Sequence, residues 1–299
     1  EAYVPWALLV AIFIGGTIFW SAWGTRSVIP SLKKIAVKTQ FSVLGLFHQL
    51  GRDFKDVTRS LNFRFLFTGV LLVYITVGVT QTLDMYMYTY FWELDEQIIL
   101  PVLMAFAIGN GLGTLVSVKL FSIIGKKYCL IIGGLTYALF QNIPVVLRLL
   151  DWFPANGDAL LVPLLVVIKL IQGFATAQAN VGYGSMMADV CDEHEYHTGR
   201  RQEGAFFSSV AFSAKATHGI GSAVAGLVIW LIDWPIGSHI RTSADVPVDT
   251  LVSLAVFYGP GVAALAFISV IFYTQYNLTP ESHAKMLVEI GKRRKNIDA

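Results

Sequence analysis

Long apolar stretches alternate with short polar ones along this chain. Seven of them, roughly 3–24, 65–91, 98–122, 128–150, 160–188, 204–232 and 250–274, hold mostly apolar residues. Each has the ~20 residues that a helix needs to cross a bilayer. Small residues punctuate the stretches. Gly109, Gly111 and Gly113 cluster in one, Gly219, Ala223 and Gly226 share a face of another, and Gly259-Pro260-Gly261 interrupts the last. Such residues let helix backbones approach where packing replaces the hydrophobic effect, and Gly-Pro-Gly also suits a bend. The one long gap, 25–64, is polar and basic. Within it Phe41, Leu44, Phe47, Leu50, Phe54, Val57 and Leu61 recur at steps of three and four. That is one apolar stripe with charges opposite, which predicts a helix lying on the membrane face or packed on its neighbours.

Composition agrees. Of the 299 residues 55% are apolar and 14% charged, against about 25% charged in soluble domains. The net charge of +2 is small, and no nucleic-acid partner is expected. Its distribution is more informative. Threading seven spans places 18 of the 22 Lys and Arg on one side, in the 25–64 gap, in short loops at 119–127 and 200–201, and in the 275–299 tail. The positive-inside rule makes that side cytoplasmic. Cys129 and Cys191 fall at predicted helix ends on the same side, so no disulfide framework is expected. The first stretch follows Glu1 with no basic leader region or small-residue cleavage site. It reads as a spanning helix of a chain that lacks its N-terminal part, and not as a signal peptide.

Three ionisable residues lie inside predicted spans, where a charge costs about 2.5–3.5 kcal/mol on insertion scales unless it meets a cavity or a partner. Lys215 is about eleven residues into its helix, near the midplane at ~1.5 Å per residue, with His218 and Ser208 on its face. It reads as a cavity charge or as half of an ion pair within the bundle. Lys169 heads a polar stripe of Gln172, Thr176, Asn180 and Tyr183. At about 100° per residue the five share a sector of roughly 80°, which predicts the wall of a wet pathway. Lys169 also lies near enough to the outer end to snorkel. Asp84 sits in the outer third of its helix, with Thr76, Thr80, Gln81 and Tyr88 on adjoining faces. Its depth matches that of Lys169, so the two read as a pair gating the outer side, or Asp84 as an acid hydrated at the outer mouth.

A dense charge cluster, Asp189, Asp192, Glu193, Glu195, Arg200, Arg201 and Glu203, falls between the fifth and sixth stretches. Acids at the C-terminal end of a helix oppose its dipole, and the arginines are the nearest compensation. A network that forms and breaks there would gate the cytoplasmic side. Cys191, His194 and His197 are spaced as metal ligands are, but no second ligand pair accompanies them, so no metal and no cofactor are expected. No nucleophile arrangement or phosphate loop emerges, and the chain is not expected to be an enzyme.

The segment "ADVCDEHEYHTGRRQEG" followed by "AFFSSVAFSAKATHGIGSAVAGL" resembles the glycoside–pentoside–hexuronide:cation symporters, the melibiose-permease-like branch of the major facilitator superfamily. The resemblance is carried by Asp189, Val190, Asp192, Glu195, Thr198, Gly199, Arg201, Glu203 and Gly204, by Lys215, and by the short basic loop Gly125–Lys127. It implies an all-α polytopic membrane protein of two six-helix bundles. Residues 1–24 would be the last helix of the N-terminal bundle, 25–64 a cytoplasmic central loop, 65–274 the six-helix C-terminal bundle, and 275–299 a cytoplasmic tail. It also implies a monomer in the cell membrane that carries a sugar or glycoside with Na⁺ or H⁺, the substrate lying between the bundles. Lys215 would contact substrate or cation, and the family's cation-binding acids would lie mostly in the N-terminal bundle. A lysolipid or other amphipath is the alternative cargo. A seven-helix receptor is the remote alternative; a retinal type would want a lysine in the last span, and 250–274 has none.

Overall fold

The computed structural model describes residues 3–31, 51–52, 54–237, 240 and 242–298. The chain forms two units, residues 1–46 and 47–299. The first contains α1 (Tyr3–Thr25), which has no charged side chain and is apolar all round, as a lipid-spanning helix is. A 3₁₀ turn, Arg26–Ser31, follows. Of the amphipathic stripe, Phe41, Leu44, Phe47 and Leu50 lie outside the described residues. Phe54 and Val57 belong to a short helical piece at 54–57.

Among its described residues the regular elements of the second unit are all helical, joined by short loops. Its elements are α2 (Leu61–Tyr86), α3 (Glu96–Ile124), α4 (Lys126–Leu149), α5 (Leu161–Thr198), α6 (Glu203–Leu231), α7 (Val248–Val256), α8 (Val262–Thr274) and α9 (Pro280–Asp298). The α2 helix runs on into a π-helical turn, Met87–Phe91, and a second π-helical turn, Phe257–Gly261, joins α7 to α8 into one long rod. The latter coincides with Gly259-Pro260-Gly261, where proline removes a backbone donor and the hydrogen-bond ladder must readjust. Ser60 caps α2 by accepting from the Phe63 amide at 3.2 Å. Gly125, at φ 84°, turns the chain from α3 into α4 in one residue, and Gly199, at φ 70°, closes α5. Both need the left-handed backbone that glycine adopts freely.

Among the described residues, six helical segments are long and apolar enough to cross a membrane: 4–30, 61–91, 96–124, 126–149, 161–198 and 248–274. The sequence predicts seven. The seventh, α6, has the length, at 29 residues, but Lys215, His218 and its many Gly, Ala and Ser residues dilute its apolarity. The charge cluster is divided as expected, with Asp189, Asp192, Glu193 and Glu195 on the C-terminal end of one helix, Arg200 and Arg201 in the link and Glu203 opening the next, but α5 itself is longer than expected, at 38 residues. At ~1.5 Å per residue that is about 57 Å, well beyond a ~30 Å hydrocarbon core. The expected tail contains a helix, α9.

The helices pack side by side in the order α3, α5, α4, α8, α2, α6, with α9 against the charged end of α5. Close approach depends on glycine. A Cβ on Gly109 would overlap the Leu170 carbonyl, and one on Gly173 would overlap the Phe106 carbonyl, so α3 and α5 touch backbone to backbone. Gly78 and Gly221 do the same for α2 and α6. The predicted face Gly219, Ala223, Gly226 is therefore not the packing face. Gly219 and Gly226 look onto open space, and the seam runs through Gly221, two residues or about 200° round the helix. Large apolar side chains cover the outside, among them Leu115, Val118 and Phe212 at 81, 78 and 75% exposure, a surface suited to lipid.

Candidate functional site

A cavity of about 490 Å³ opens between α2, α4, α5 and α8, with α3 along one side. Its wall on α2 runs from Val70 to Tyr88. At ~1.5 Å per residue that is about 27 Å, close to the thickness of the hydrocarbon core. Thr76, Thr80, Gln81 and Asp84 face it from α2, and Lys169, Thr176, Asn180 and Tyr183 from α5. The α2 and α5 helices run antiparallel, so Asp84 and Lys169 share one end while Tyr183 sits toward the other.

Most of the predicted stripe therefore lines one wall. Gln172 does not. It is 1% exposed and turned toward α4, where its Nε2 donates to Gln141 Oε1 at 2.9 Å. The sector of roughly 80° straddles the boundary between cavity and helix contact, and Gln172 is on the contact side. Thr176 donates back to the Gln172 carbonyl at 2.7 Å, and Thr80 to the carbonyls of Thr76 and Val77 at 3.0 Å each. Both hydroxyl oxygens keep lone pairs for a guest.

The predicted Asp84–Lys169 ion pair is not formed. Asp84 accepts a hydrogen bond from the Tyr258 hydroxyl, in the π-helical turn between α7 and α8. Lys169 Nζ lies 5.6 Å from the centre of the Tyr88 ring, a cation–π contact. Tyrosines recur round the wall, Tyr74, Tyr88, Tyr137, Tyr183 and Tyr273. The Tyr88 and Tyr183 hydroxyls are buried with no hydrogen-bond partner, though such groups are normally satisfied. The sequence offered a signal for Tyr137 and Gln141, four apart on one helix face, and none for Tyr258.

Lys215 and His218 are not on this wall. Lys215 is exposed on α6, opposite the Ser213–Thr217 face that packs on α2, and His218 is half-buried beside the Gly78 seam. No ion pair within the bundle holds Lys215, so of its two predicted roles the paired one is excluded among the described residues.

The charge cluster closes the opposite end of the bundle, and it is wider than the sequence foretold. Lys126 Nζ contacts both Asp189 oxygens at 2.8 and 2.9 Å. Arg201 reaches Asp192 at 3.0 Å, Glu195 at 2.9 Å and Glu203. From α9, Arg294 clasps Glu195 with contacts of 2.6–3.0 Å, and His283 Nε2 lies 3.0 Å from Asp192. Glu193 accepts from Ser60 and Asn62 at the start of α2. Four segments thus converge on the end of α5. The Glu195 hydrogen bond first, then those to Glu203 and Asp192, hold the Arg201 proton more firmly than an arginine ordinarily does. Arg200 stands apart. It is exposed, and its side chain makes no ion pair among the described residues. Cys191, His194 and His197 do not converge, and among the described residues no group of three or more His, Cys, Asp or Glu could hold a metal.

A bundle of long apolar helices, with a largely apolar cavity inside that carries polar side chains and a charge network at one end, has the construction of a membrane transporter. The chain belongs to the family described as MFS/sugar transport protein, which matches residues 1–280. It is also similar to the "Uncharacterized symporter YnaJ" of Bacillus subtilis (strain 168), with 26% identity over 300 residues. The match covers 97% of this chain and 58% of that relative, so the chain spans little over half the relative's length. The chain is thus an all-α, multi-helix member of that major facilitator family.

Proposed function

We propose that the protein is a secondary active symporter that moves a sugar or glycoside with Na⁺ or H⁺ by alternating access. The cavity between α2, α4, α5 and α8 supports this reading. A sugar presents hydroxyls that both donate and accept, and C–H faces that stack on aromatic rings. The wall offers Asn110, Asn180, Gln81 and Thr hydroxyls beside five tyrosines, two of them with unpartnered hydroxyls. On this reading residues 65–274 are the C-terminal bundle of a two-bundle carrier, and residues 1–24 end the N-terminal bundle. The network on Asp189, Asp192, Glu195, Arg201 and Glu203 lies at the cytoplasmic end and gates it. Lys215, exposed on α6, is read as a charge that water reaches, which makes a deep lysine tolerable, with His218 half-buried beside it.

Uptake by the intact protein in proteoliposomes tests this. Labelled monosaccharides, disaccharides, glycosides, hexuronates and lysolipids are offered under imposed Na⁺ or H⁺ gradients. Gradient-driven accumulation of a sugar is expected. Lys169→Ala is expected to reduce it at least about tenfold, the equivalent of ~1.4 kcal/mol of lost cargo contact. Lys215→Ala is expected to abolish accumulation while leaving the protein folded. Uptake unaffected by Lys215→Ala would leave the symporter and reduce Lys215 to a surface residue. Uptake of lysolipid alone would replace the cargo.

A further inference from the structure

A second pocket, of about 740 Å³, lies at the charged end of the bundle, where the start of α2 meets the last turns of α5 and the link from α8 to α9. Its volume is that of a small-molecule site. His194 lines it and is 6% exposed, packed on the Phe206 ring at 5.4 Å. Its imidazole nevertheless makes no hydrogen bond among the described residues. Buried polar groups are normally paired, so this one is an unused partner at the pocket wall. The first turn of α2 adds two more. Ser60 takes the Phe63 amide, and the amides of Leu61 and Asn62 have no acceptor among the described residues. They are donors that a helix leaves open at its N-terminus, where the dipole favours an anion.

We infer that this pocket binds the phosphate group of a small water-soluble metabolite. Arg200 lines it, exposed and without an ion pair among the described residues. Its guanidinium offers five N–H donors in a fork that matches phosphate oxygens. Arg59 brings a second guanidinium. Two carboxylates line the pocket as well, and both are engaged. Asp56 meets Arg59 at 3.2 Å. Glu193 accepts from Ser60 Oγ at 3.1 Å on one oxygen and from Asn62 Nδ2 at 2.8 Å on the other. The groups left unengaged can all donate: Arg200, His194, His197, and the side-chain amides of Gln275 and Asn277. A ligand with several acceptor oxygens and negative charge answers that set, and a metal cation does not. Leu61 and Phe65 add apolar wall for the carbon body of an ester.

Phosphate could come from a soluble ester or from a lipid head group, and depth favours the first. From Leu161 to Glu193 the α5 helix rises about 48 Å at ~1.5 Å per residue. A bilayer with its head groups is ~40–45 Å thick. Glu193, His194, His197 and Arg200 therefore stand at the water side of the head groups. A phosphate held here touches the start of α2, the end of α5 and the α8–α9 link at once. Occupancy joins three segments that are otherwise linked at this point by Ser60 and Asn62 on Glu193 and by the Asn277 amide on Asn62 Oδ1 at 2.9 Å. A ligand that binds the folded form alone stabilises it.

Equilibrium dialysis of the intact protein, held in phosphatidylcholine nanodiscs, against labelled inorganic phosphate tests the site without any transport. Saturable binding is expected, with glycerol phosphate competing and glycerol not. Arg200→Gln and His194→Gln are each expected to weaken it at least about tenfold, and Lys292→Gln, outside the pocket, to leave it unchanged. Arg200 is exposed, so its variant keeps the fold. It should melt with wild type in the absence of phosphate and lose only the rise in melting temperature that phosphate gives wild type. No saturable binding up to about 10 mM, or binding that both pocket variants retain, would overturn the inference. Binding that disappears when phosphatidate is added to the nanodiscs would make the occupant a lipid head group and overturn the soluble ligand.

Discussion

Gly173→Val is expected to cost the bundle its fold, and Gly111→Val, two turns of chemistry away in type but only a helix away in space, to be tolerated. A side chain on Gly173 would run into the Phe106 carbonyl and the Asn110 amide of α3, and the matching Gly109 already faces the Leu170 carbonyl. These are backbone atoms. They cannot rotate aside as a side chain does, so α3 and α5 must part along their whole contact. Overpacking commonly costs about 1–3 kcal/mol when neighbours can shift. Here the expected loss is at or above the top of that range. Intrinsic propensity works the other way, since glycine is about 0.8–1.0 kcal/mol worse than alanine within a helix. Any loss of stability must then come from packing. Gly111 has open space around it, and its valine variant is the control for propensity and insertion alone. Heating purified protein in detergent and following the monodisperse fraction by size exclusion reads the difference. A Gly173→Val protein as stable as Gly111→Val would show that α3 and α5 are not in backbone contact.

The same contact shows what a sequence can reveal here. Six of the seven expected spans were legible because apolar length decides them, and the Lys169 stripe because a polar row has the helical period. The depth match of Asp84 and Lys169 held, as both line one end of the cavity. Their direct pairing did not, because the partner of Asp84 is Tyr258, 174 residues on. Nothing local tells a tyrosine beside Gly-Pro-Gly which acid it will meet. Small-residue faces were legible as a kind but not in register. Gly221 and Gly219 differ by two positions in the chain and by most of a half-turn in direction. The charge cluster was legible as a cluster, and its acids do sit on a helix C-terminus. The cations that balance it include Lys126 from the start of α4 and Arg294 from the tail. They come from segments whose charges read as ordinary solvated or positive-inside residues.

That tail contact is the second place where one atom type decides much. Glu195 is expected to hold α9 in place, and Glu195→Gln to release it. The Glu195 side chain is 11% exposed and accepts from Arg201 Nη1 and from Arg294 Nε and Nη2. A glutamine keeps the shape but has one acceptor oxygen and an NH₂ that faces guanidinium donors. Hydrogen bonds to charged groups are worth about 1.5–3 kcal/mol each. Arg201 and Arg294 are 43 and 53% exposed, however, so water recovers much of the loss, and the net effect is expected at about 1–3 kcal/mol. Since ~1.4 kcal/mol is tenfold, trypsin should cut α9 at Lys285 and beyond roughly 5- to 150-fold faster, as cleavage follows the open population. Arg294→Gln should do nearly the same. The double variant should fall short of the sum of the two, because both remove one interaction. Lys292→Gln, whose side chain is 69% exposed and among the described residues pairs only with Glu289 of its own helix, should leave the rate of cleavage at Lys285 unchanged. Unaltered cleavage of Glu195→Gln would place the docking of α9 on its apolar contact at Ile290, which is 5% exposed, and would leave the ion pairs as consequences of that docking and not its cause.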